Sequence, residues 1–407
     1  MASGIELDKK LYTFSTRCIR CAGCTYSYRD VGFLPTCPIY KKFGFFTYSL
    51  GGMAQIGRAL YEGRLDLTES VSEVFYHCTS CGACAEVCGI VDFPDMMELQ
   101  HELRAKCVEV GQVPIAHMIT IEGLKKDDNM MQKPKAERGK WAEGLEVKDI
   151  TKESADVYYH AGCRYCFDEA LWPIARSAVN LLKKAGVDVG IAGKDETCCG
   201  GRAFELGYQG EFIKYAENNL EMLRTAGIKT LVTSCADGYY AFKVLYDMSG
   251  KKGDLEVLHI TEYLARLIKE GRLKLTKNVP LTVTYHDPCH LGRKVEPWIR
   301  HEGKLKAGEI YEPPREILNS ILGLKLVEMQ RNRENAWCCG AGGGVIDAYP
   351  DFARWAAQER IDEAKSTGAE AMVTACPWCR GNFSDALQES NGKLKIYDIV
   401  ELVEQAL

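Results

Sequence analysis

The stretches "AGIKTLVTSCADGYYAF" (226–242) and "TGAEAMVTACPWCRGNF" (367–383) are two copies of one pattern. In each copy a short β-branched run leads to a cysteine, and residues typical of a helix follow. A strand that leads directly into a helix is the repeating step of parallel α/β folds. The two copies therefore predict two α/β units of the same design.

The repeat extends to both sides of these stretches. The further matching pairs are "DVYYHAGC" (156–163) with "LTVTYHDPC" (281–289), "DETCCGGRAFELG" (195–207) with "NAWCCGAGGGVID" (335–347), and "LHITEYLARLI" (258–268) with "YDIVELVEQAL" (397–407). We therefore predict two repeated α/β lobes, over 156–270 and 281–407, that face one another. Such an arrangement suits a site between the lobes, because ligands of open α/β sheets gather at the carboxyl ends of the strands.

The composition is that of a globular protein with more than one domain. The chain has 407 residues, of which 46% are hydrophobic and 26% are charged. The net charge of −5 argues against nucleic acid as the main partner, because phosphate binding favours a basic surface. We find no apolar run of membrane-spanning length and no signal-peptide pattern, so we expect no membrane span and a cytoplasmic location.

Cysteine is the unusual component, with 19 residues in a chain without a secretory pattern. Such cysteines indicate metal or redox chemistry more often than disulfides. Residues 1–124 are expected to form a mostly α-helical domain, and they hold two groups of four: Cys18, Cys21, Cys24 and Cys37, then Cys78, Cys81, Cys84 and Cys88. The spacing C-x2-C-x2-C-x3-C places three thiolates around one 4Fe-4S cubane, while the fourth reaches a second cubane.

This spacing predicts that each N-terminal cluster takes ligands from both groups. Cluster 1 is predicted on Cys18, Cys21, Cys24 and Cys88, and cluster 2 on Cys78, Cys81, Cys84 and Cys37. Zinc is the alternative, although zinc sites rarely use three cysteines at this spacing. The pattern departs from the usual one at two points: residues 25–36 form an insertion, either a docking surface or a plain surface loop, and Gly89 stands where proline is usual. Residues 125–155 are charged and poor in aliphatic runs, which predicts a linker or a surface excursion.

The lobes carry a second cysteine pattern built around adjacent pairs. The first lobe has Cys163, Cys198, Cys199 and Cys235, and the second has Cys289, Cys338, Cys339, Cys376 and Cys379. Adjacent residues have Cα atoms ~3.80 Å apart, closer than the usual disulfide geometry, so each pair is expected to stay open. Both thiolates of a pair can then bind one polynuclear centre, and the glycines that follow allow the backbone to approach and donate N–H groups to sulfur.

These motifs, together with "HDPCHLGR" (286–293) and "CCGAGGG" (338–344), resemble the cysteine-rich CCG domain of heterodisulfide reductases. With two cubanes in front, the chain resembles the D-subunit family of these enzymes, in which C-type ferredoxin and B-type parts are fused. The same layout occurs in iron–sulfur subunits of glycolate, lactate and glycerol-3-phosphate dehydrogenases and of benzoyl-CoA reductase complexes. The resemblance implies a noncubane 4Fe-4S cluster on five cysteines, here Cys289, Cys338, Cys339, Cys376 and Cys379.

The first lobe departs from that family pattern. Gly238 stands where the second lobe has Cys379, which leaves Cys163, Cys198, Cys199 and Cys235 for a further cluster. Four ligands suit a cubane better than a noncubane cluster. Cys166 either substitutes for the missing ligand or is a free thiol.

Other residues near the motifs have two interpretations each. His160 and His286, at matching places in the repeat, are tentative catalytic proton donors, or they hydrogen-bond the backbone or cluster sulfur; His290 has the same alternatives. Arg293 binds an anion or forms a structural ion pair. The tryptophans Trp337 and Trp378 are expected to shield a cluster from water. Cys107 is expected to be buried and inert.

No dinucleotide-binding or P-loop motif is present, so we expect no flavin or nicotinamide site of the chain's own. The leading hypothesis is an iron–sulfur electron-transfer subunit of an anaerobic heterodisulfide-reductase-type complex. A flavin-containing A-type subunit is the expected partner. The alternatives are a catalytic subunit that cleaves a heterodisulfide of the CoM-S-S-CoB type at the noncubane cluster, which the loss at Gly238 disfavours, and a zinc-stabilised interaction protein.

Overall fold

The structure is a computed structural model that describes residues 9–26, 35–297, 309–390 and 392–407. Most of the insertion predicted between Cys24 and Cys37 lies outside the described residues. The N-terminal part is helical, as predicted. Its helices are α1 (Lys9–Arg17), α2 (Pro38–Phe43), α3 (Leu50–Tyr61), α4 (Glu69–Tyr76), α5 (Ala83–Glu86), α6 (Phe93–Glu109) and α7 (Ile115–Asp127).

The first lobe alternates strands and helices. Its strands are β1 (Lys148–Asp149), β2 (Val157–His160), β3 (Val189–Ile191), β4 (Thr230–Thr233) and β5 (Glu256–His259). Its helices are α8 (Gly162–Phe167), α9 (Trp172–Lys184), α10 (Gly201–Glu205), α11 (Gln209–Thr225), α12 (Ala236–Lys243) and α13 (Ile260–Lys269). The strands form one parallel sheet in the order β1-β3-β2-β4-β5.

The second lobe repeats this plan. Its strands are β6 (Leu281–Tyr285), β7 (Leu324–Leu326), β8 (Ala371–Thr374) and β9 (Lys395–Asp398), and its helices are α14 (Glu312–Ser320), α15 (Val345–Ala348), α16 (Pro350–Ser366), α17 (Pro377–Glu389) and α18 (Ile399–Ala406). The parallel sheet order is β7-β6-β8-β9. The strand-to-helix steps around Cys235 and Cys376 thus occupy matching places, β4–α12 and β8–α17.

The two lobes pack face to face through equivalent helices. Helix α13 of the first lobe packs on α14 of the second, and α18 of the second packs on α9 of the first. One continuous apolar core runs through both lobes, and it includes Leu182, Leu264 and Val403. The predicted α/β architecture with two facing lobes is confirmed.

The segment predicted as a linker belongs instead to the first lobe. It supplies the edge strand β1, and Trp141 is only 1% exposed because its indole packs into the lobe core. Arg138 is also fully buried in this segment. The prediction failed because a short strand and an isolated tryptophan among charged residues give no periodic signal.

A buried junction joins the N-terminal domain to both lobes. Arg104 on α6 is 0% exposed, and its guanidinium donates to the carbonyl oxygens of Phe75 (2.9 Å), Glu205 (2.9 Å) and Gly343 (2.9 Å), and also to that of Cys78. These carbonyls belong to the N-terminal domain, the first lobe and the second lobe. The side chain makes no ion pair with any described carboxylate, so its charge is stabilised by backbone carbonyl dipoles and by the ring of Tyr76, 5.1 Å away.

No described helix combines the length and the apolar character that crossing a lipid bilayer requires.

Replacing Arg104 tests this junction. The substitution Arg104→Ala leaves four buried carbonyl groups without their donor, and we expect the free energy of unfolding to fall by about 3 kcal/mol or more. The measurement is chemical denaturation under anaerobic conditions. The matched control is Arg266→Ala, which removes a half-exposed guanidinium paired with Glu256 and should cost less than about 1 kcal/mol. Equal losses of unfolding free energy in the two variants would show that the Arg104 junction does not stabilise the fold more than a surface ion pair does.

Candidate metal centres

The cysteines predicted for cluster 1 meet in one cavity. Cys18, Cys21 and Cys24 follow α1, where the backbone turns through positive φ at Arg20 (60°) and Ala22 (59°). Cys88, which follows α5, lies on the same cavity wall. Four thiols that converge from two distant segments fit a 4Fe-4S cluster, whose usual protein ligands are four cysteines.

A second cavity collects the cysteines predicted for cluster 2. Cys37, at the start of α2, lines it together with Cys78, Cys81 and Cys84. Burial raises the pKa of the Cys37 and Cys84 thiols well above their usual value, and Cys24 from the neighbouring cavity adds to the effect at both. Buried thiols bind as thiolates only when a metal supplies the compensating charge, so this donor set also fits a cluster.

The second-lobe cysteines converge at the lobe interface. Cys289, Cys339, Cys376 and Cys379 line one cavity, whose wall also includes Asp237 of the first lobe. Cys289 follows β6, whereas Cys376 caps the N-terminus of α17 and Cys379 lies in its first turn. The thiols interact: hydrogen bonds from Cys338 and Cys379 lower the pKa of Cys339 to about 5. Five neighbouring thiols of this kind fit a polynuclear metal centre.

Cys338 completes this set and extends it towards the N-terminal domain. It packs in a small buried group with Cys81, Ala83 and Cys289. A hydrogen bond with Cys338 is the main cause that raises the pKa of Cys81. A predicted ligand of cluster 2 therefore contacts a predicted ligand of the second-lobe centre.

The glycines after the cysteine pairs have two separate roles. Gly340 donates its N–H to Cys338 Sγ at 3.3 Å, and Gly200 donates to Cys198 Sγ at 3.4 Å, as the sequence predicted for such glycines. Gly342 and Gly343 do something else. A Cβ at Gly342 would lie 2.5 Å from the carbonyl oxygen of Thr79, and one at Gly343 would lie 2.8 Å from that of Cys78. These glycines let the second lobe touch the loop that carries the cluster 2 cysteines.

The first-lobe cysteines are arranged less compactly. Cys163 and Cys198 pack together in a small buried group beneath α7, with Cys199 partly buried beside them. A hydrogen bond with Cys198 is the main cause that raises the pKa of Cys163. Cys235 instead faces the second lobe, where a hydrogen bond with Cys376 is the main cause that raises its pKa. Cys235 thus lies between the two lobe sites.

The thiol of Cys166 lies near Cys163 and beside the buried carboxylate of Glu196. It is 1% exposed and donates to the Glu196 carboxylate at 3.4 Å. Burial and the charge of Glu196 raise its pKa well above the usual value. Of the two alternatives from the sequence, the structure favours the free thiol. Cys107 is fully buried in α6, and burial raises its pKa to about 12.

The two matching histidines differ in their surroundings. His286 has a ring nitrogen within 4.8 Å of the sulfurs of Cys339 and Cys379, and its Nδ1 accepts from Arg360 Nε at 3.1 Å. Burial, reinforced by the Arg360 charge, lowers its pKa to about 3. Burial also lowers the pKa of His160. Burial thus favours the neutral imidazole at both positions, and the proton-donor role stays a prediction.

His290, Arg293 and the tryptophans hold structural positions. His290 Nδ1 lies 3.2 Å from Cys289 Sγ, and its Nε2 lies 2.6 Å from Glu205 Oε1. Arg293 forms no ion pair among the described residues; it donates to the carbonyls of Cys81 (3.1 Å), Glu334 and Ala336. Its charge therefore lies between cluster 2 and the second-lobe centre.

Trp378 lines the second-lobe cavity, whereas the ring of Trp337 packs against Arg331 and Lys41. Trp337 is fully buried, and Trp378 stacks under the guanidinium of Arg202 at 3.7 Å from the ring centroid.

The sequence analysis did not identify the buried charged partners Arg104, Arg138, Glu196, Glu205, Lys294 and Arg360. Single charged residues within helices and loops carry no signal of burial. Arg360 was detectable in part, since it falls at helical spacing on the apolar face of α16 with Ala353, Ala356 and Ala364.

Comparison with known proteins agrees with these sites. A cysteine-rich (CCG) domain model matches residues 157–243 and 283–384, and a 4Fe-4S dicluster domain model matches residues 15–90. A hypothetical protein from Helicobacter pylori of known structure shares the fold, with a TM-score of 0.51 and 11% identity over 76% of this chain and 57% of that chain.

Curated relatives are subunits or members of oxidoreductase systems. The D subunit of the dihydromethanophenazine:CoB–CoM heterodisulfide reductase of Methanosarcina mazei is 33% identical, over 96% of this chain and 93% of that protein. EtfAB:quinone oxidoreductase of Syntrophomonas wolfei is 30% identical, over 83% and 47%. The B subunit of the CoM/CoB fumarate reductase of Methanothermobacter marburgensis is 28% identical, over 96% and 72%.

These matches confirm the family that the motifs indicated, and they identify the chain as an iron–sulfur oxidoreductase. The chain belongs to the D-subunit family of heterodisulfide reductases.

Proposed function

We propose that the chain carries electrons between the two N-terminal 4Fe-4S clusters and the CCG-lobe centres of a heterodisulfide-reductase-type oxidoreductase complex. The ligands are those predicted: Cys18, Cys21, Cys24 and Cys88 for cluster 1, Cys37, Cys78, Cys81 and Cys84 for cluster 2, and Cys289, Cys338, Cys339, Cys376 and Cys379 for a noncubane cluster. A flavin-containing A-type subunit is the proposed electron-exchange partner. The expected cytoplasmic location stays a prediction.

The contact of Cys81 with Cys338 carries this proposal. It joins the cluster 2 cavity to the second-lobe site without intervening solvent, since both residues are buried. The two N-terminal cavities also adjoin, because Cys24 of one influences Cys37 and Cys84 of the other. The cysteine sites therefore form a continuous series from cluster 1 to the lobe interface.

Cluster 1 is the end of the series that meets a partner. Cys21 is exposed, and the cavity is bordered by the exposed apolar side chains of Ile19 and Ile90. At the other end, the second-lobe centre is enclosed by residues of both lobes and bordered by Trp378. An iron–sulfur cluster transfers electrons singly and its potential depends on exposure and hydrogen bonds to sulfur. The chain supplies those hydrogen bonds from Gly340 and excludes water with the side chain of Trp378.

A second candidate function is reductive cleavage of a heterodisulfide at the second-lobe centre. The observation that favours it is the cavity between the lobes, whose wall combines four thiols with Asp237 and His290. Gly238 opposes it, because the first lobe lacks the fifth cysteine of a matching noncubane cluster.

Metal and sulfide content test the proposed cofactors. We expect anaerobically purified chain to contain acid-labile sulfide with iron in excess of two cubanes' worth, and EPR signals from at least two interacting clusters after reduction. Zinc without sulfide would instead support the zinc-stabilised interaction protein.

The glycine contact tests the electron path. In Gly342→Ala the new Cβ collides with the Thr79 carbonyl and pushes the second lobe away from cluster 2. We expect stopped-flow reduction of the second-lobe centre by way of the N-terminal clusters to slow at least tenfold, with cluster content unchanged. Gly210→Ala on α11 is the control, because a Cβ there meets no atom within 4 Å. Unchanged kinetics in Gly342→Ala would remove this contact from the path.

Turnover separates the relay from catalysis. With reduced viologen and a thiol–thiol heterodisulfide, the clusters of the isolated chain should become reduced by the viologen. Thiols should not be released from the heterodisulfide faster than in the uncatalysed reaction. Clear thiol release that is lost in Cys339→Ser would establish the catalytic alternative.

A further inference from the structure

The first lobe lacks one cysteine at Gly238, and the structure shows what occupies the neighbourhood of the missing sulfur. A Cβ built at Gly238 would lie 3.6 Å from the Cβ of Cys235 and 3.9 Å from His160 Cδ2, without a clash. A Cβ at this place is therefore accommodated in ordinary van der Waals contact, and the imidazole of His160 borders it. His160 is fully buried, and its Nε2 has no hydrogen-bond partner among the described residues.

The second lobe supplies the template for this arrangement. There His286 is the counterpart of His160, and Cys379 is the counterpart of Gly238. Both histidines stack edge-on against the matching phenylalanine, His160 against Phe242 at 4.9 Å and His286 against Phe383 at 4.8 Å. Because a ring nitrogen of His286 lies within 4.8 Å of the Cys379 sulfur, the ring of His160 stands at the same place relative to position 238.

The two imidazoles differ in which nitrogen can bind a metal. Arg360 Nε donates to Nδ1 of His286, and an arginine cannot accept, so the proton of His286 is on Nε2. This nitrogen can donate to cluster sulfur but has no free lone pair. A metal ion therefore cannot bind to His286 through it.

His160 lies beside a buried ion pair, Arg138 with Glu196 at 3.1 Å, and its Nδ1 faces the carboxylate of that pair. Its Nδ1 lies 3.1 Å from Tyr158 Oη and 3.6 Å from Glu196 Oε2, and Tyr158 Oη lies 3.4 Å from the same carboxylate. A proton on Nδ1 lets the imidazole donate to Tyr158 while the hydroxyl donates to Glu196, which satisfies all three groups. Nε2 then carries the lone pair. A carboxylate behind a histidine is the common second shell of metal-ligating histidines.

We infer that His160 Nε2 replaces the missing cysteine as a ligand of the first-lobe metal centre, alongside Cys163, Cys198, Cys199 and Cys235. The inference rests on the proposed presence of a centre in this lobe. Imidazole nitrogen and thiolate sulfur occur together in iron–sulfur and zinc sites, so the donor set is chemically consistent. Cys166, the alternative substitute, is directed at Glu196 instead. In the lobe with five cysteines, His286 can donate a hydrogen bond to sulfur. In the lobe with four cysteines, His160 binds the metal.

The first experiment uses the unaltered full-length chain, purified anaerobically. Pulsed EPR of reduced protein is compared between unlabelled chain and chain labelled with 15N-histidine. We expect a nitrogen coupling of directly ligated size that disappears in His160→Ala and persists in His286→Ala. A coupling that survives His160→Ala would overturn the inference.

The second experiment counts iron, zinc and sulfide per chain, so it also serves if the first-lobe centre gives no EPR signal. The loss of metal and sulfide in Cys198→Ser defines how much of the total content belongs to the first lobe. We expect His160→Ala to lose the same amount of metal and sulfide. The double variant His160→Ala with Gly238→Cys should regain it, because the new thiolate supplies the missing ligand. Gly210→Ala on α11 should keep the full content. Circular dichroism checks that each variant is folded.

The outcomes separate this inference from the electron relay. Full metal content in folded His160→Ala overturns the histidine ligand, and so does a folded double variant that does not regain metal. If Cys198→Ser loses no metal, the first lobe has no centre and the inference fails, while the relay through the N-terminal clusters and the second lobe still depends on the Gly342 result.

Discussion

The guanidinium of Arg104 is the interaction on which the relative placement of the three domains depends. It is a buried charge without a described carboxylate partner, and it is stabilised by carbonyl oxygens from the helical domain, from Glu205 of the first lobe and from Gly343 of the second. Such a charge is tolerable only while all of its donors are satisfied, because an unsolvated ion in the interior costs several kcal/mol. The domains must therefore dock together or leave the charge exposed. Docking in turn places the Cys78 loop against the glycines of the second lobe, and this contact brings cluster sites of different domains together.

Much of this organisation was predictable because cysteine ligands have fixed spacings. The C-x2-C-x2-C segments predicted which thiols meet, and both N-terminal cavities contain the expected residues, including the crossed ligands Cys37 and Cys88. The internal repeat likewise predicted two parallel α/β lobes. The segment 125–155 was assigned wrongly, since a two-residue strand and buried Trp141 interrupt an otherwise charged sequence without periodicity. The role of Gly342 and Gly343 at a domain contact was also hidden, because a glycine does not reveal which backbone it approaches.

The lobes show how one repeat can diverge while its backbone is retained. At equivalent strand ends the second lobe pairs His286 with Arg360, and the first surrounds His160 with Tyr158 and Glu196. A donor at Nδ1 of His286 and a carboxylate near Nδ1 of His160 favour opposite tautomers of the same ring. The change from Cys379 to Gly238 accompanies this change of partner. These buried partners come from sequence positions far from the histidines, Arg360 from α16 and Glu196 from the loop before α10, which is why local sequence patterns did not reveal them.

The sharing of cysteines between the two N-terminal cavities also constrains how their clusters are assembled. Each cavity is lined by cysteines from both segments, which are separated by α2, α3 and α4. Neither donor set therefore exists until the chain through all three helices has been synthesised and folded. Metal binding and folding are coupled in such sites, because the apo ligands lose the compensating charge that keeps buried thiolates stable. Maturation of the two clusters is then a concerted event. A truncated chain that ends between the segments would leave not one intact cluster and one missing cluster, but two incomplete ones.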